Sequence, residues 1–174
     1  MSVSGDFWRF VCILWMGVAV FYGESPHTLD AKNRVFVPKR FQDELSRTPE
    51  GALVVFVSWG QDACLYLFSE SGFQRALEEL KTRVFSAADL RAAQRVFFAN
   101  TARVELDGSG RLLIPEKLRQ RAGLEKDVVM VGVQDRAEIW AKTAWERYES
   151  SHLDKLDRID TVLDDASSGT PPSG

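Results

Sequence analysis

The sequence predicts an α+β chain, mostly β, made of two tandem pseudo-symmetric repeats with flanking helices. Three observations predict it. First, one short pattern occurs twice: Asp30, Arg34, Pro38 and Phe41 stand 77 residues before Asp107, Arg111, Pro115 and Leu118. Second, the apolar runs that follow correspond. Leu53 to Ser58 and Cys64 to Phe68 flank a turn at Gly60-Gln61-Asp62, as Val128 to Val133 and Ala137 to Trp140 flank Gln134-Asp135. Third, the offset has slipped to 72 at Phe68/Trp140 and Phe73/Trp145, so the first copy holds five extra residues, placed in loops. Two copies of about 65 residues make a symmetric pair, not a long solenoid.

Each element follows from local chemistry. Leu29 opens a strand–turn–strand unit. Asp30 to Asn33 is polar, and Asn tolerates positive φ. Val35 to Val37 reads as a short buried strand. Pro38 then takes the first position of a helix reaching about Leu45, where its missing N–H costs nothing. In the second copy Asp107-Gly108-Ser109-Gly110 is a stronger turn signal, Leu112 to Ile114 the strand, Pro115 the helix start and Gly123 its C-terminal cap. The four apolar runs form two strand pairs. Ser69 caps a helix that carries Phe73, Ala76, Leu77 and Leu80 on one face. Ser86-Ala87-Ala88-Asp89 opens a linker helix, and Thr143-Ala144-Trp145-Glu146 reads as a capping box for the last one. The expected organisation is an apolar extension (1–19), a first repeat (20–82), a linker helix (83–99), a second repeat (100–150) and an acidic, mostly disordered tail (151–174).

Charge narrows the function. The chain's net charge is −3, yet residues 20–150 balance 19 basic against 19 acidic side chains; the deficit lies in the tail, with two basic residues against five acidic. Residues 27–48 and 101–121 each hold five basic and three acidic side chains, so each motif is a local patch of +2. An oligomer would multiply such patches. Cys64 sits in an apolar run as a core thiol, and the two cysteines offer neither a disulfide framework nor zinc spacing. This suits a reducing cytoplasm. The two histidines, His27 and His152, neighbour no catalytic serine or cysteine pattern, and no phosphate-cradling glycine loop occurs, so no enzyme, cofactor or metal is expected. The aromatics Trp59, Phe68, Phe73, Trp140 and Trp145 read as core or subunit contacts. Phe10 to Tyr22 is uncharged and too short to span a bilayer comfortably. The favoured reading is a true start near Val20; a signal anchor or a packed extension are its rivals, and no membrane partner is expected unless that segment is genuine.

Two Asp-x-x-x-Arg motifs, each leading through a short strand into a proline-started helix, resemble the MraZ family. The likeness runs from about Val20 to Tyr148. It is most specific at His27 to Arg34, at Gly110 to Pro115, and from Ala122-Gly123-Leu124 to Val131-Gly132-Val133. Asn33 departs from it, standing where the family usually has Gly. The resemblance implies an AbrB/MazE-like swapped-hairpin β-barrel, with both halves in one chain, and a start near Val20. It also implies a DNA-binding regulator, usually a repressor, of the division and cell-wall gene cluster and its own promoter. Such proteins are expected in the cytoplasm at the nucleoid, as ring-shaped homo-oligomers on short direct repeats of double-stranded DNA.

On this resemblance the DNA-contacting residues are Lys32, Arg34 and Arg111. Arginine's fork matches guanine O6 and N7, and a lysine on a turn suits phosphate. A second role stays open for the motif residues Asp30, Arg34, Asp107 and Arg111: Asp closing the turn and Arg covering the barrel. Both roles can coexist. Arg40, Arg119 and Arg121 read as solvated surface charge. The alternatives are a ring-forming scaffold that binds a protein partner without DNA, and an AbrB-type antitoxin.

Overall fold

A computed structural model describes residues 20–82 and 87–156, without the side chains of 80–90 and 154–156. The apolar extension, Ser86 and the far tail lie outside the described residues. Two compact units result, one ending at Ala141 and one beginning at Lys142. The first contains β1 (Phe21–Thr28), β2 (Arg34–Phe36), α1 (Lys39–Gln42), β3 (Ser46–Arg47), β4 (Leu53–Trp59), β5 (Leu65–Phe68), α2 (Glu70–Thr82) and α3 (Ala87–Ala99). It continues with β6 (Thr101–Glu105), β7 (Arg111–Leu113), α4 (Glu116–Arg121), β8 (Asp127–Gln134) and β9 (Arg136–Ala141). The second unit is α5 (Lys142–Leu156). Among the described residues no helix is long and apolar enough to cross a membrane.

The repeats exchange strands. β1 of the first repeat pairs antiparallel with β8 of the second, from Phe21↔Gln134 to Thr28↔Asp127. Reciprocally, β6 of the second pairs with β4 of the first, from Val54↔Glu105 to Ser58↔Thr101. The hairpins β4–β5 and β8–β9 join through β5 and β9, where Leu65 faces Ile139. The main sheet therefore runs β1-β8-β9-β5-β4-β3, with β6 also on β4. It does not close into the expected barrel. Asn33 and Gly110 take left-handed φ (59° and 74°), which turns the chain out of the line of β1 and β6. β2 and β7 leave the main sheet and, among the described residues, pair only with each other.

The apolar pattern explains the core. Val35 and Leu112 are fully buried under this ribbon, and Phe41 and Leu118 occupy matching buried positions on α1 and α4. Phe21 meets Phe41 edge-on at 5.6 Å, and Phe73 stacks on Phe56 at 4.3 Å. Cys64, Phe68, Phe73 and Trp140 are buried, as expected of core residues, whereas Trp59 is exposed. Ser69 Oγ accepts the Gly72 amide, capping α2 as its sequence predicts. Gly123, at φ 60°, ends α4: its amide reaches Gln120 O, and that of Leu124 reaches Arg119 O.

Several elements differ from expectation. Pro38 and Pro115 stand at the N-cap with extended ψ of 142° and 133°, so their helices begin one residue later than predicted, at Lys39 and Glu116. Residues Asp43 to Leu45 continue α1 only as hydrogen-bonded turns. α5 starts at Lys142, which places Thr143 inside the helix rather than at its cap. Strand β1 precedes Leu29, the residue at which the sequence predicts the first strand to begin. Its sequence, FYGESPHT, exposes most of its residues, so it carries no apolar alternation.

Candidate nucleic-acid interface

The two motif turns are built alike. Asp30 Oδ1 accepts the amides of Lys32 (2.8 Å) and Arg34 (2.9 Å), and its Oδ2 accepts Arg34 Nε (2.7 Å). Asp107 Oδ1 accepts the amides of Ser109 (2.9 Å) and Arg111 (3.0 Å), and its Oδ2 accepts Arg111 Nε (2.8 Å). Only a short carboxylate can bond its own backbone two and four residues on and still hold a guanidinium. The backbone closes each loop: Asn33 N donates to Asp30 O, and Gly110 N to Asp107 O. The turns then cross-link. Val37 N donates to Gly110 O and Ile114 N to Asn33 O, both at 3.0 Å, so each repeat's strand is fastened to the other's turn.

Electrostatics follow this geometry. The side-chain hydrogen bond from Arg34, then its amide, holds the Asp30 carboxyl down to about 2. The Asp107 carboxyl is also lowered, first by the Arg111 amide. Burial, and then Arg40, lowers the His27 imidazole.

The turns differ in how much cation they leave available. Arg34 is held at Nε and Nη2 by Asp30, and its Nη1 lies 3.7 Å from Asp107 Oδ2. Arg111 is held at Nε alone among the described residues. Lys32 is exposed on its turn, where the second turn has Ser109. The structure thus brings Lys32, Arg34 and Arg111 to one ribbon and its turns, with an aspartate bonded to the Nε of each arginine.

Other cations do structural work that sequence reasoning missed. Arg40 donates to Tyr22 O (3.2 Å) and Glu24 O (2.9 Å), pinning the start of β1. Lys117, its repeat partner, donates to Ala99 O (2.8 Å). Arg119 holds Glu116 and Leu124 O. Arg40 and Arg119 are therefore bonded to backbone rather than simply solvated, and Arg121 lies over the Trp59 ring at 5.6 Å. The signal was available: Tyr22 and Ala99 share the 77-residue offset of Arg40 and Lys117. Also missed were Phe36 and Leu113, which strand alternation puts on the outer face.

A tandem, strand-exchanged repeat with two carboxylate-latched cationic turns defines a class of paired-motif protein whose site presents hydrogen-bond donors. The sequence model of the family described as "MraZ protein, putative antitoxin-like" matches residues 20–96 and again 97–164, and the chain belongs to the MraZ family. It is 42% identical over 129 residues to a transcriptional regulator MraZ of Acetivibrio thermocellus, covering 74% of this chain and 86% of that protein. A protein of the same name from Carboxydothermus hydrogenoformans is 43% identical over the same shares. One from Clostridium beijerinckii is 38% identical over 146 residues, 84% of this chain and 98% of that one. These relatives are named as transcriptional regulators, which is not an enzyme class.

Proposed function

We propose that this transcriptional regulator binds DNA sequence-specifically, with Arg34 and Arg111 reading guanine edges and Lys32 contacting phosphate. One observation carries the reading: two latched turns hold these cations on one cross-linked ribbon, and ribbons of this kind enter the major groove. Asp107 grips Arg111 from Nε, which orients the fork and leaves its ends for a base, while Arg34, held side-on by Asp30 through Nε and Nη2, turns only its outer edge toward one. A patch of +2 is too weak alone at physiological salt, so the reading includes a ring-shaped homo-oligomer that sets several ribbons on short direct repeats. Its target is its own promoter and the division and cell-wall gene cluster, where it represses from the nucleoid. The reciprocal pairing of β1 with β8 and β6 with β4 supports the swapped-hairpin relationship within one chain.

The test is a gel shift of the full chain on DNA upstream of its own gene at two salt concentrations, with Arg34→Ala and Arg111→Ala alongside. The expected result is a salt-sensitive shift on that DNA that both variants lose. A folded oligomer that shifts no DNA would point to a scaffold for an acidic protein partner instead.

A further inference from the structure

The β2–β7 ribbon exposes two large apolar side chains at equivalent places in the repeats. In the strand register Arg34 stands opposite Leu113 and Phe36 opposite Arg111, with Val35 opposite Leu112 between them. Alternation sends Val35 and Leu112 into the core and leaves Arg34, Phe36, Arg111 and Leu113 on the outer face. Phe36 is 45% exposed and Leu113 52%. A single exposed hydrophobic residue is ordinary. Two at matched positions, each facing an arginine, make a pattern that asks for a surface offering both apolar groups and acceptors.

The major groove is such a surface. Guanine presents O6 and N7 there, and thymine presents a methyl group. A second protein copy fits less well, because two side chains fall far short of the roughly 800 Å² that each partner contributes to a stable interface. The Phe36 ring is also steadied from the side by His27, at 6.1 Å between centroids. Resting on the DNA-binding reading, we infer that Phe36 and Leu113 read thymine methyl groups in the major groove, beside the guanines read by the arginines opposite them. The operator then carries thymine next to guanine wherever a ribbon docks.

The test uses a synthetic duplex of the DNA upstream of the chain's own gene in two versions, one with thymine and one with uracil throughout. Uracil removes the methyl and leaves pairing unchanged. Anisotropy titrations of the full chain are expected to show the uracil duplex bound roughly fourfold more weakly for each methyl group that the protein covers. Phe36→Ala and Leu113→Ala each remove part of this difference, the double variant removes all of it, and Phe36→Leu keeps most. Equal wild-type binding to both duplexes, salt-sensitive and weakened by Arg111→Ala, would overturn the methyl reading and leave the arginine reading intact. No salt-sensitive binding to either duplex would defeat the DNA reading and this inference with it. A change in assembly size on light scattering for Phe36→Ala, with the thymine preference unchanged, would give the face to a second copy and also overturn it.

Discussion

The turns at Asp30–Arg34 and Asp107–Arg111 share a backbone and differ in what their side chains are asked to do. Both use an aspartate to bond two amides and one Nε. In the first, Asn33 takes the left-handed position and its Nδ2 donates to Glu116 Oε2 at 2.8 Å, Arg34 engages both aspartates, and Lys32 projects. In the second, Gly110 takes that position, Arg111 is held on one side, and Ser109 replaces the lysine. Duplication supplied one device twice; divergence made the first copy the more tied and the second the more open.

The largest expected contrast is in stability. A Cβ on Gly110 would meet the side-chain amide of Gln42, which is buried and bonded to Val37 O at 2.7 Å, and the residue would sit at φ 74°. Gly110→Ala is expected to cost about 2–4 kcal/mol, combining left-handed strain with overpacking. Asn33→Ala forfeits the bond to Glu116 without introducing a clash, and is expected to cost about half as much. Thermal melts of the two variants check this; equal destabilisation would show that the turns are not differentiated in packing.

Next comes DNA affinity. Arg34→Ala and Arg111→Ala are each expected to weaken specific binding roughly ten- to hundredfold, the range for one bidentate arginine–guanine pair. Arg34→Ala should lower the melting temperature more than Arg111→Ala, because Arg34 links the two aspartates while Arg111 bonds one. If Arg111→Ala destabilises as much, or Arg34→Ala leaves binding untouched, the proposed division between the turns is wrong.

Much of this was legible in the sequence because the device is local. Asp and Arg four residues apart bond within one turn, so the sequence repeat and the latch are the same fact. The hairpins were legible from their apolar runs. The exchange of β1 onto β8 was implied only by the family resemblance and not by the residues of β1 themselves. β1 contains Gly23 and Pro26 and is largely exposed, so what holds it is pairing with a distant strand. The bonds of Arg40 and Lys117 to strand-start carbonyls escaped for the same reason: their partners lie 16 to 18 residues away, beyond any helical or strand spacing. Phe36 escaped because an apolar triplet reads as buried on both faces, whereas the ribbon has only one inner side.

A smaller effect separates the turns in acid. A carboxyl held low in the fold contributes stability that is complete above its unfolded value of about 4 and disappears as pH falls through its folded value. For Asp30, held down to about 2, that window runs from about pH 4 to about pH 2. Glu116, held down to about 2 first by Arg119 and then by Gln120, shares it. Melting temperature should therefore fall across this range in the native chain and fall less steeply in Asp30→Asn. Asp107→Asn should flatten the profile less, since that carboxyl is less strongly lowered. Superimposable profiles for the two variants would remove the electrostatic side of the contrast.

The smallest effect concerns the one cation that the second turn lacks. Lys32 is exposed and Ser109 stands at its place in the other repeat, where Asp107 bonds its amide. A lysine on such a turn touches phosphate and carries no base information. Ser109→Lys should therefore steepen the dependence of log affinity on log salt by about 0.9 for each added phosphate contact, and Lys32→Ala should make it shallower by the same amount. Neither should alter the preference between operator and unrelated DNA measured at one salt concentration. If Ser109→Lys leaves the slope unchanged while Lys32→Ala lowers it, the second turn does not reach the backbone and the ribbon docks asymmetrically. If Lys32→Ala instead changes sequence preference, the lysine reads a base, and the first turn holds more of the specificity than its latched arginine supplies.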